Sequence, residues 1–288
     1  MVFFMSEKTE LLILVQTEPN ISEKYGETVC TAGITRDLNW IRLYPIQRRI
    51  NTTIAKYRKY DWIECETRLN ENNTDTRKES RKVNAESIKK LESMSGDWSV
   101  RRRFLLQKGI QVFQKMDDIL EGAKTNSISL CLFKPKKVIR FYTKETGDEF
   151  TKKEQNIIDN LKNQGYLFSL DEIGISDVQF KKVPYSFICQ FTDIDGKCSN
   201  LTILDWEITT NFRKGVKNNG KNGAKELTLQ RYNKFIKDKD IYFILGTRNK
   251  MHNMKKNSTK DNNINPWSII SIIPFPKCDQ MELDLGLL

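Results

Sequence analysis

Short apolar runs alternate with polar turns along most of the chain, a pattern typical of strands. Leu11–Val15 is apolar throughout and is predicted to be a buried strand. Tyr185–Phe191 and Asn200–Asp205 flank Asp195-Gly196, a dipeptide that favours tight turns, so they are predicted to pair as a hairpin. The other predicted strands are Thr28–Ile34, Trp40–Ile46, Trp62–Arg68, Ile128–Phe133, Val138–Tyr142, Ile241–Gly246 and Trp267–Pro274.

Helical spacing of apolar residues predicts helices over Glu86–Met94, Val100–Leu120, Thr151–Gln164 and Ala224–Ile236. Thr151 and Glu154 have the spacing of a capping box, in which each side chain satisfies a backbone N–H of the other residue. Asn70–Asn84 and Thr247–Pro266 are polar and lack a hydrophobic period, so we expect loops there.

Strands and helices do not alternate regularly, which argues against a doubly wound fold. The pattern predicts an α+β fold of mostly antiparallel sheets, one of them able to close into a barrel, with a helical insertion at residues 86–122. We expect an N-terminal domain at residues 1–145, a C-terminal domain at residues 146–276 and a tail at residues 277–288.

Composition adds a preference for anionic partners. The 288 residues include 48 Lys and Arg against 37 Asp and Glu, a net charge of +11. Nucleic acid, a membrane surface or an acidic protein would suit this charge, and we favour DNA. The alternative is a general bias toward Lys and Asn, visible in Lys217–Asn222.

The metal-binding residues point away from a zinc site. None of the six cysteines forms a CxxC pair, HExxH is absent, and His252 is the one histidine. Several cysteines lie in apolar runs, as reduced cytoplasmic thiols do. The apolar runs are too short to span a bilayer, so we expect a soluble cytoplasmic protein with no membrane partner.

The C-terminal segment, Gln280-Met281-Glu282-Leu283-Asp284-Leu285-Gly286-Leu287-Leu288, resembles the peptides by which bacterial polymerases and repair proteins bind the sliding clamp. Gln280, Leu283 and Leu285 occupy the anchor positions of that pattern. Gly286 departs from it, since an aromatic residue or leucine often follows the second anchor. The resemblance implies a tether to DNA. A leucine-rich end that packs on the core is the alternative.

Several basic segments are candidates for contacts with phosphates or bases. Arg101, Arg102 and Arg103 follow Trp98, which could stack on a base. Other basic clusters contain Lys136 and Lys137, and Arg213, Lys217 and Lys221. Residues 215–221 match the spacing of a phosphate loop, but Asn222 replaces the required Ser or Thr and no apolar strand precedes them, so we reject that motif.

Asp205 and Glu207 follow an apolar strand and could hold a metal or act as acid and base. Asp205 could instead be a structural helix cap before a packed Trp206. Glu27, together with Arg42 and Tyr44 from the neighbouring strand, could line a pocket for a base.

The body of the chain, in segments such as Glu27–Ile34, Trp40–Pro45 and Asp205–Glu207, also resembles uncharacterised bacterial proteins to which we attach no activity. We expect a DNA-processing enzyme of repair or antiviral defence, tethered by the clamp. A DNA glycosylase is preferred because base removal needs a carboxylate and a basic surface but no cofactor. The alternatives are a Mg²⁺-dependent nuclease that uses Asp205 and Glu207, and a non-catalytic reader of modified or single-stranded nucleic acid.

Overall fold

The computed structural model describes residues 6–47, 54–70, 75–167, 182–248 and 265–277. The strands are β1 (Glu7–Gln16), β2 (Asn20–Ser22), β3 (Gly26–Thr35), β4 (Trp40–Ile46), β5 (Asp61–Arg68), β6 (Ser80–Ser93), β7 (Val112–Phe113), β8 (Leu130–Phe133), β9 (Lys137–Glu145), β10 (Tyr185–Thr192), β11 (Cys198–Thr202), β12 (Lys239–Thr247) and β13 (Trp267–Pro276). The helices are α1 (Trp98–Leu105), α2 (Met116–Lys124), α3 (Lys152–Leu167) and α4 (Trp206–Asp238).

The N-terminal strands form a closed five-stranded barrel. Its strands follow the order β1-β5-β6-β4-β3, and β1 pairs with both β3 and β5, which closes the circle. Only β4 and β6 run parallel among these pairs. With the short β2 set aside, this connectivity is that of the OB-fold, a five-stranded Greek-key barrel.

β1 has apolar side chains on both faces because the barrel is covered outside as well as filled inside. Leu11 and Ile13 point into the barrel and pack with Leu43, Tyr57 and Ile63. The alternate residues of β1 point outward, because successive side chains of a strand lie on opposite faces.

The outward side chains of the barrel pack on a second sheet, ordered β13-β12-β8-β7. Leu12 and Leu14 join Leu132, Ile244 and Ile273 in one buried apolar layer between the barrel and this sheet. The layer joins the two parts of the chain, since it is built from strands at both ends of the sequence.

A third sheet, ordered β11-β10-β9, continues the second one. Ile203 forms a parallel bridge with Ile269 of β13, and Leu204 donates its N–H to the Ile269 carbonyl at 2.7 Å. Phe133, Phe191 and Phe243 pack in the core beneath both sheets, which α2 and α4 cover.

α4 folds back on itself as a helical hairpin. Gly220 has φ of 62°, a left-handed conformation that suits glycine and interrupts the helix. A Cβ on Gly215 would lie only 3.1 Å from the Ala224 Cβ, and Asn211 Nδ2 is 3.4 Å from Tyr232 Oη. Residues so far apart in a straight helix could not touch, so the two halves are antiparallel neighbours.

The predicted fold class, α+β with mostly antiparallel sheets and a barrel-like sheet, is confirmed. The predicted strands are present, and α3 begins with the expected capping box, in which the Thr151 N–H donates to Glu154 at 2.8 Å and the Glu154 N–H donates to Thr151 at 3.2 Å.

Three local predictions within this fold are wrong. Glu86–Met94 is not a helix, and the segment predicted as the loop Asn70–Asn84 ends in a strand, because Ser80–Ser93 forms β6. Pairing with β5 along the barrel overrides the helical propensity of its Glu, Lys and Leu residues. Val100–Leu120 is also not continuous. The part of the predicted insertion that is helical consists of α1 and the start of α2, and Gly109, with φ of 107°, lies in the break between them.

None of the helices in the described part of the chain is long and apolar enough to cross a membrane.

Candidate functional site

A cleft of about 640 Å³ opens where the barrel meets the helical hairpin. One wall comes from the loop before β5 and from α1, and the other from both halves of α4. The lining includes six basic residues and two acidic ones: Arg58, Lys59, Arg101, Lys214, Arg231, Lys239, Asp205 and Glu207. Five aromatic residues also line it: Tyr60, Trp98, Trp206, Tyr232 and Phe235.

Lys59 links the two walls of the cleft. Its Nζ donates to Asp205 Oδ2 at 3.2 Å and to Glu207 Oε2 at 3.1 Å, and its side chain is only 10% exposed. Burial alone would lower the pKa of Lys59, but the two carboxylates outweigh it and raise that pKa well above its ordinary value. Lys59 is therefore held as an ammonium ion between the two carboxylates.

Asp205 is buried and connects the start of α4 to β13 and to Lys59. Its Oδ1 accepts the Glu207 N–H at 3.0 Å, which caps α4, and its Oδ2 accepts the Ile272 N–H at 3.0 Å in addition to Lys59. Burial raises the pKa of Asp205, and Lys59 opposes that shift. The Asp205 side chain is 2% exposed, whereas Glu207 is 58% exposed, so Glu207 is the carboxylate that a ligand in the cleft can reach.

Tyr60 supports the barrel side of the cleft in a strained conformation. Its φ of 71° is unusual for a bulky residue, and two backbone hydrogen bonds hold it there: its N–H donates to Ile13 O at 2.6 Å and its carbonyl accepts the Met94 N–H at 2.8 Å. The Arg101 guanidinium stacks 3.9 Å from the centre of the Tyr60 ring, and Trp98 packs edge-on against the same ring. Burial raises the pKa of the Tyr60 hydroxyl. The stack therefore positions Arg101 at the rim as a cation.

The hairpin side of the cleft is also built from two chain segments. Lys214 from the first half of α4 and Arg231 from the second half are both exposed. Asn211 and Tyr232, which touch across the hairpin, lie between them, and burial raises the pKa of Tyr232. The neutral phenol and the two cations make this wall favourable for anions.

The structure brings four of the predicted site residues into this cleft: Asp205, Glu207, Trp98 and Arg101. Three others lie on the barrel away from it. Glu27 is buried and lines a smaller cleft beside Glu18. Arg42 is buried against Glu79, with one N–H donated to Ser129 O at 3.1 Å.

Tyr44, from the same strand as Arg42, donates or accepts a hydrogen bond with Thr28 at 3.2 Å. Glu27, Arg42 and Tyr44 were predicted to line one pocket, but none of the described clefts is lined by all three.

The remaining predicted cations are dispersed. Three of them are in ion pairs, Arg102 with Asp240, Arg213 with Glu18 and Lys221 with Asp148. Four lie exposed outside the lining of the cleft, namely Arg103, Lys136, Lys137 and Lys217. The three predicted clamp anchors, Gln280, Leu283 and Leu285, lie outside the described residues.

Sequence reasoning missed the partnership of Lys59 with Asp205. The two residues are 146 positions apart, and no local pattern links them. Arg58 and Lys59 belong to a basic cluster of the sequence, and Arg231 is a conceivable charge partner for the acids, but only the fold brings all of them to one cleft.

The Lys59 ammonium occupies the space between the two carboxylates, so a divalent cation that bridged Asp205 and Glu207 would have to displace it. No cluster of three His, Cys, Asp or Glu side chains suited to a metal is found in the residues that the structure describes.

The sequence matches two families, and the cleft lies between the matched regions. Residues 112–285, more than half of the chain, match the family described as a domain of unknown function, DUF8757. The chain belongs to the DUF8757 family. Residues 7–107 match a second domain of unknown function, DUF8758, so the resemblance of the body to an uncharacterised family is confirmed. No curated protein matches the chain. The DUF8758 region supplies Lys59, and the DUF8757 region supplies Asp205 and Glu207.

Replacing Asp205 with asparagine should lower the free energy of unfolding by about 3 kcal/mol. The reason is that Lys59 would remain buried after losing its buried carboxylate partner, and of its two carboxylate partners only the exposed Glu207 would be left. Glu207→Gln is the matched control: it removes the other carboxylate from the same ammonium, and its cost should stay below about 1 kcal/mol because Glu207 is exposed. Urea unfolding followed by tryptophan fluorescence measures both. Equal losses would contradict the structural role of Asp205.

Proposed function

We propose that this protein binds DNA in the cleft between the barrel and the helical hairpin. The observation that carries the proposal is the excess of cations in the lining, six basic side chains against two acidic ones, beside five aromatic side chains. Basic side chains neutralise phosphates, and aromatic rings offer surfaces on which bases stack.

The Lys59–Asp205 pair adds no net charge to the cleft. Lys59 neutralises the buried Asp205, so the accessible charges are those of the exposed Arg58, Lys214 and Arg231, with Glu207 as the one exposed acid among the lining residues described. A phosphate that entered the cleft would meet cations from both walls. The OB-like barrel is consistent with this role, since barrels of this kind often bind oligonucleotides, although the fold by itself assigns no function.

The enzymatic form that we propose is base removal from damaged or modified DNA, in repair or in defence against foreign DNA. A cleft of about 640 Å³ has the size of pockets that enclose a small ligand, so an extruded nucleotide fits. Glu207, rather than the buried Asp205, would be the acting carboxylate. We also propose a cytoplasmic location, as the pattern of reduced cysteines led us to expect.

The first test measures DNA affinity by fluorescence anisotropy. The variant Lys214→Ala with Arg231→Ala should weaken binding and lower the slope of log K against log salt by about 1.5, since each lost phosphate contact lowers it by about 0.7 to 0.9. The variant Lys136→Ala with Lys137→Ala removes the same charge outside the cleft and should leave both quantities near the wild-type values. Equal effects of the two variants, or tighter binding to RNA of the same sequence, would contradict DNA binding in this cleft.

The second test concerns chemistry. Labelled DNA that carries a modified base should break after alkali treatment when incubated with the wild-type protein, and Glu207→Gln should slow this reaction about a hundredfold or more while DNA affinity persists. Breaks that form without alkali but require Mg²⁺ would favour the nuclease. Intact DNA with retained binding would favour the non-catalytic reader.

We further propose that the C-terminal segment tethers the protein to the bacterial sliding clamp. Deleting residues 280–288 should abolish retention on immobilised clamp and leave DNA affinity nearly unchanged, because the tail adds local concentration rather than DNA contacts. Leu283→Ala with Leu285→Ala should reproduce the loss without shortening the chain. Undiminished retention of either variant would refute the tether.

A further inference from the structure

The polar face of α4 that lines the cleft continues beyond it. Glu207, Thr210, Asn211 and Lys214 line the cleft and are three or four residues apart, so they form one stripe along the helix. One turn further along, Lys217 and Asn218 extend the stripe, and Lys214, Lys217 and Asn218 are all exposed.

The stripe leads away from the cleft toward the tip of the hairpin. Lys217 lies about 4.5 Å beyond Lys214 along the helix axis, given the rise of an α-helix. No acidic residue occurs between Glu207 and Glu226 in the sequence, so the charged residues of the stripe beyond Glu207 are Lys214 and Lys217. Lys221, just past Gly220, forms an ion pair with Asp148 at 2.7 Å. This pair marks the end of the stripe, the path along which a strand could run, at the hairpin tip.

At the end of the stripe that lies in the cleft, one buried hydrogen-bond donor is available to a ligand. Gln16 lines the cleft, and its Nε2 is buried and donates to no acceptor in the described part of the chain. A buried donor without a partner is costly, and an oxygen of a bound strand would satisfy it.

We infer that the substrate is a single strand of DNA, which enters the cleft and leaves it along the stripe formed by Lys214, Lys217 and Asn218. This inference rests on the proposed function and deepens it. One strand can place a nucleotide in the cleft of about 640 Å³ and lay its phosphates along the cations of the helix.

The test is a length series of oligothymidylates, from about two to twelve nucleotides, with affinity measured by anisotropy on the full chain. Wild-type affinity should rise with length and then level off once the path is filled. Lys217→Ala should match the wild type on the shortest strands and fall several-fold behind on the longer ones, with a salt slope lower by about 0.7. Lys152→Ala, which removes an exposed helical lysine away from the cleft, should behave as the wild type at every length.

The outcomes separate this inference from the proposed function. Suppose that the double variant Lys214→Ala with Arg231→Ala weakens binding but Lys217→Ala equals the wild type at every length. Binding along the stripe is then refuted, whereas DNA binding in the cleft is still supported. Tighter binding to a duplex than to either of its strands would also refute the single-stranded substrate. A strand carrying 4-thiothymidine at the last position that still adds affinity should crosslink to a peptide containing Lys217, and crosslinks confined to the barrel would overturn the path.

Discussion

The apolar layer between the barrel and the β13-β12-β8-β7 sheet determines the position of everything at the cleft. Leu12 and Leu14 project from the barrel into this layer and meet Ile244 and Ile273 of the sheet. Both walls of the cleft are bonded to strands of that layer. Tyr60 donates its N–H to Ile13 O of β1, and Asp205 accepts the N–H of Ile272 in β13. Because protein interiors are close-packed, the layer admits little sliding, and Lys59 and Asp205 are held at bonding distance.

The buried Lys59–Asp205 pair is better understood as a device for orientation than as a source of stability. Removing two charges from water costs several kcal/mol, so such a pair often contributes little net stability compared with apolar residues, roughly breaking even. Its contribution is to the orientation of α4 and to the charge at the base of the cleft. Asp205 caps α4 and thereby sets the direction of its first turn, and Lys59 cancels the charge of Asp205 at the base of the cleft. Glu207 is consequently left as the accessible acid, surrounded by cations. A chemical role for Glu207 would therefore depend on Asp205, which is too deeply buried to touch a ligand itself.

The sequence predicted the features that depend on local pattern. Four of the five barrel strands, most strands of the two C-terminal sheets, the capping box of α3 and the acids after β11 follow from neighbouring residues. β6 was missed because its Glu, Lys and Leu residues favour a helix, and only pairing with β5 makes it a strand. Glu27, Arg42 and Tyr44 do not all line any one of the described clefts. Strand alternation shows which residues share a face, but it does not show that Glu79 and Ser129 cover that face.

The covered face of the barrel gives the strongest reason for a composite site. In OB-folds the second and third strands commonly present the oligonucleotide surface, and here these strands are β3 and β4. Arg42 of β4 lies within 3.8 Å of Cys30 of β3 and donates to Ser129 from the DUF8757 region, so part of the usual surface is sealed by the chain's own second half. The cleft around Lys59 is one of the openings that the two regions leave between them. Neither matched region alone contains a complete set of its cations, because Arg58, Lys59 and Arg101 come from one region and Lys214, Arg231 and Lys239 from the other. Under the proposed function, ligand affinity and the packing of the two regions are therefore coupled: a substitution that loosens the apolar layer separates the two sets of cations even though it touches none of them.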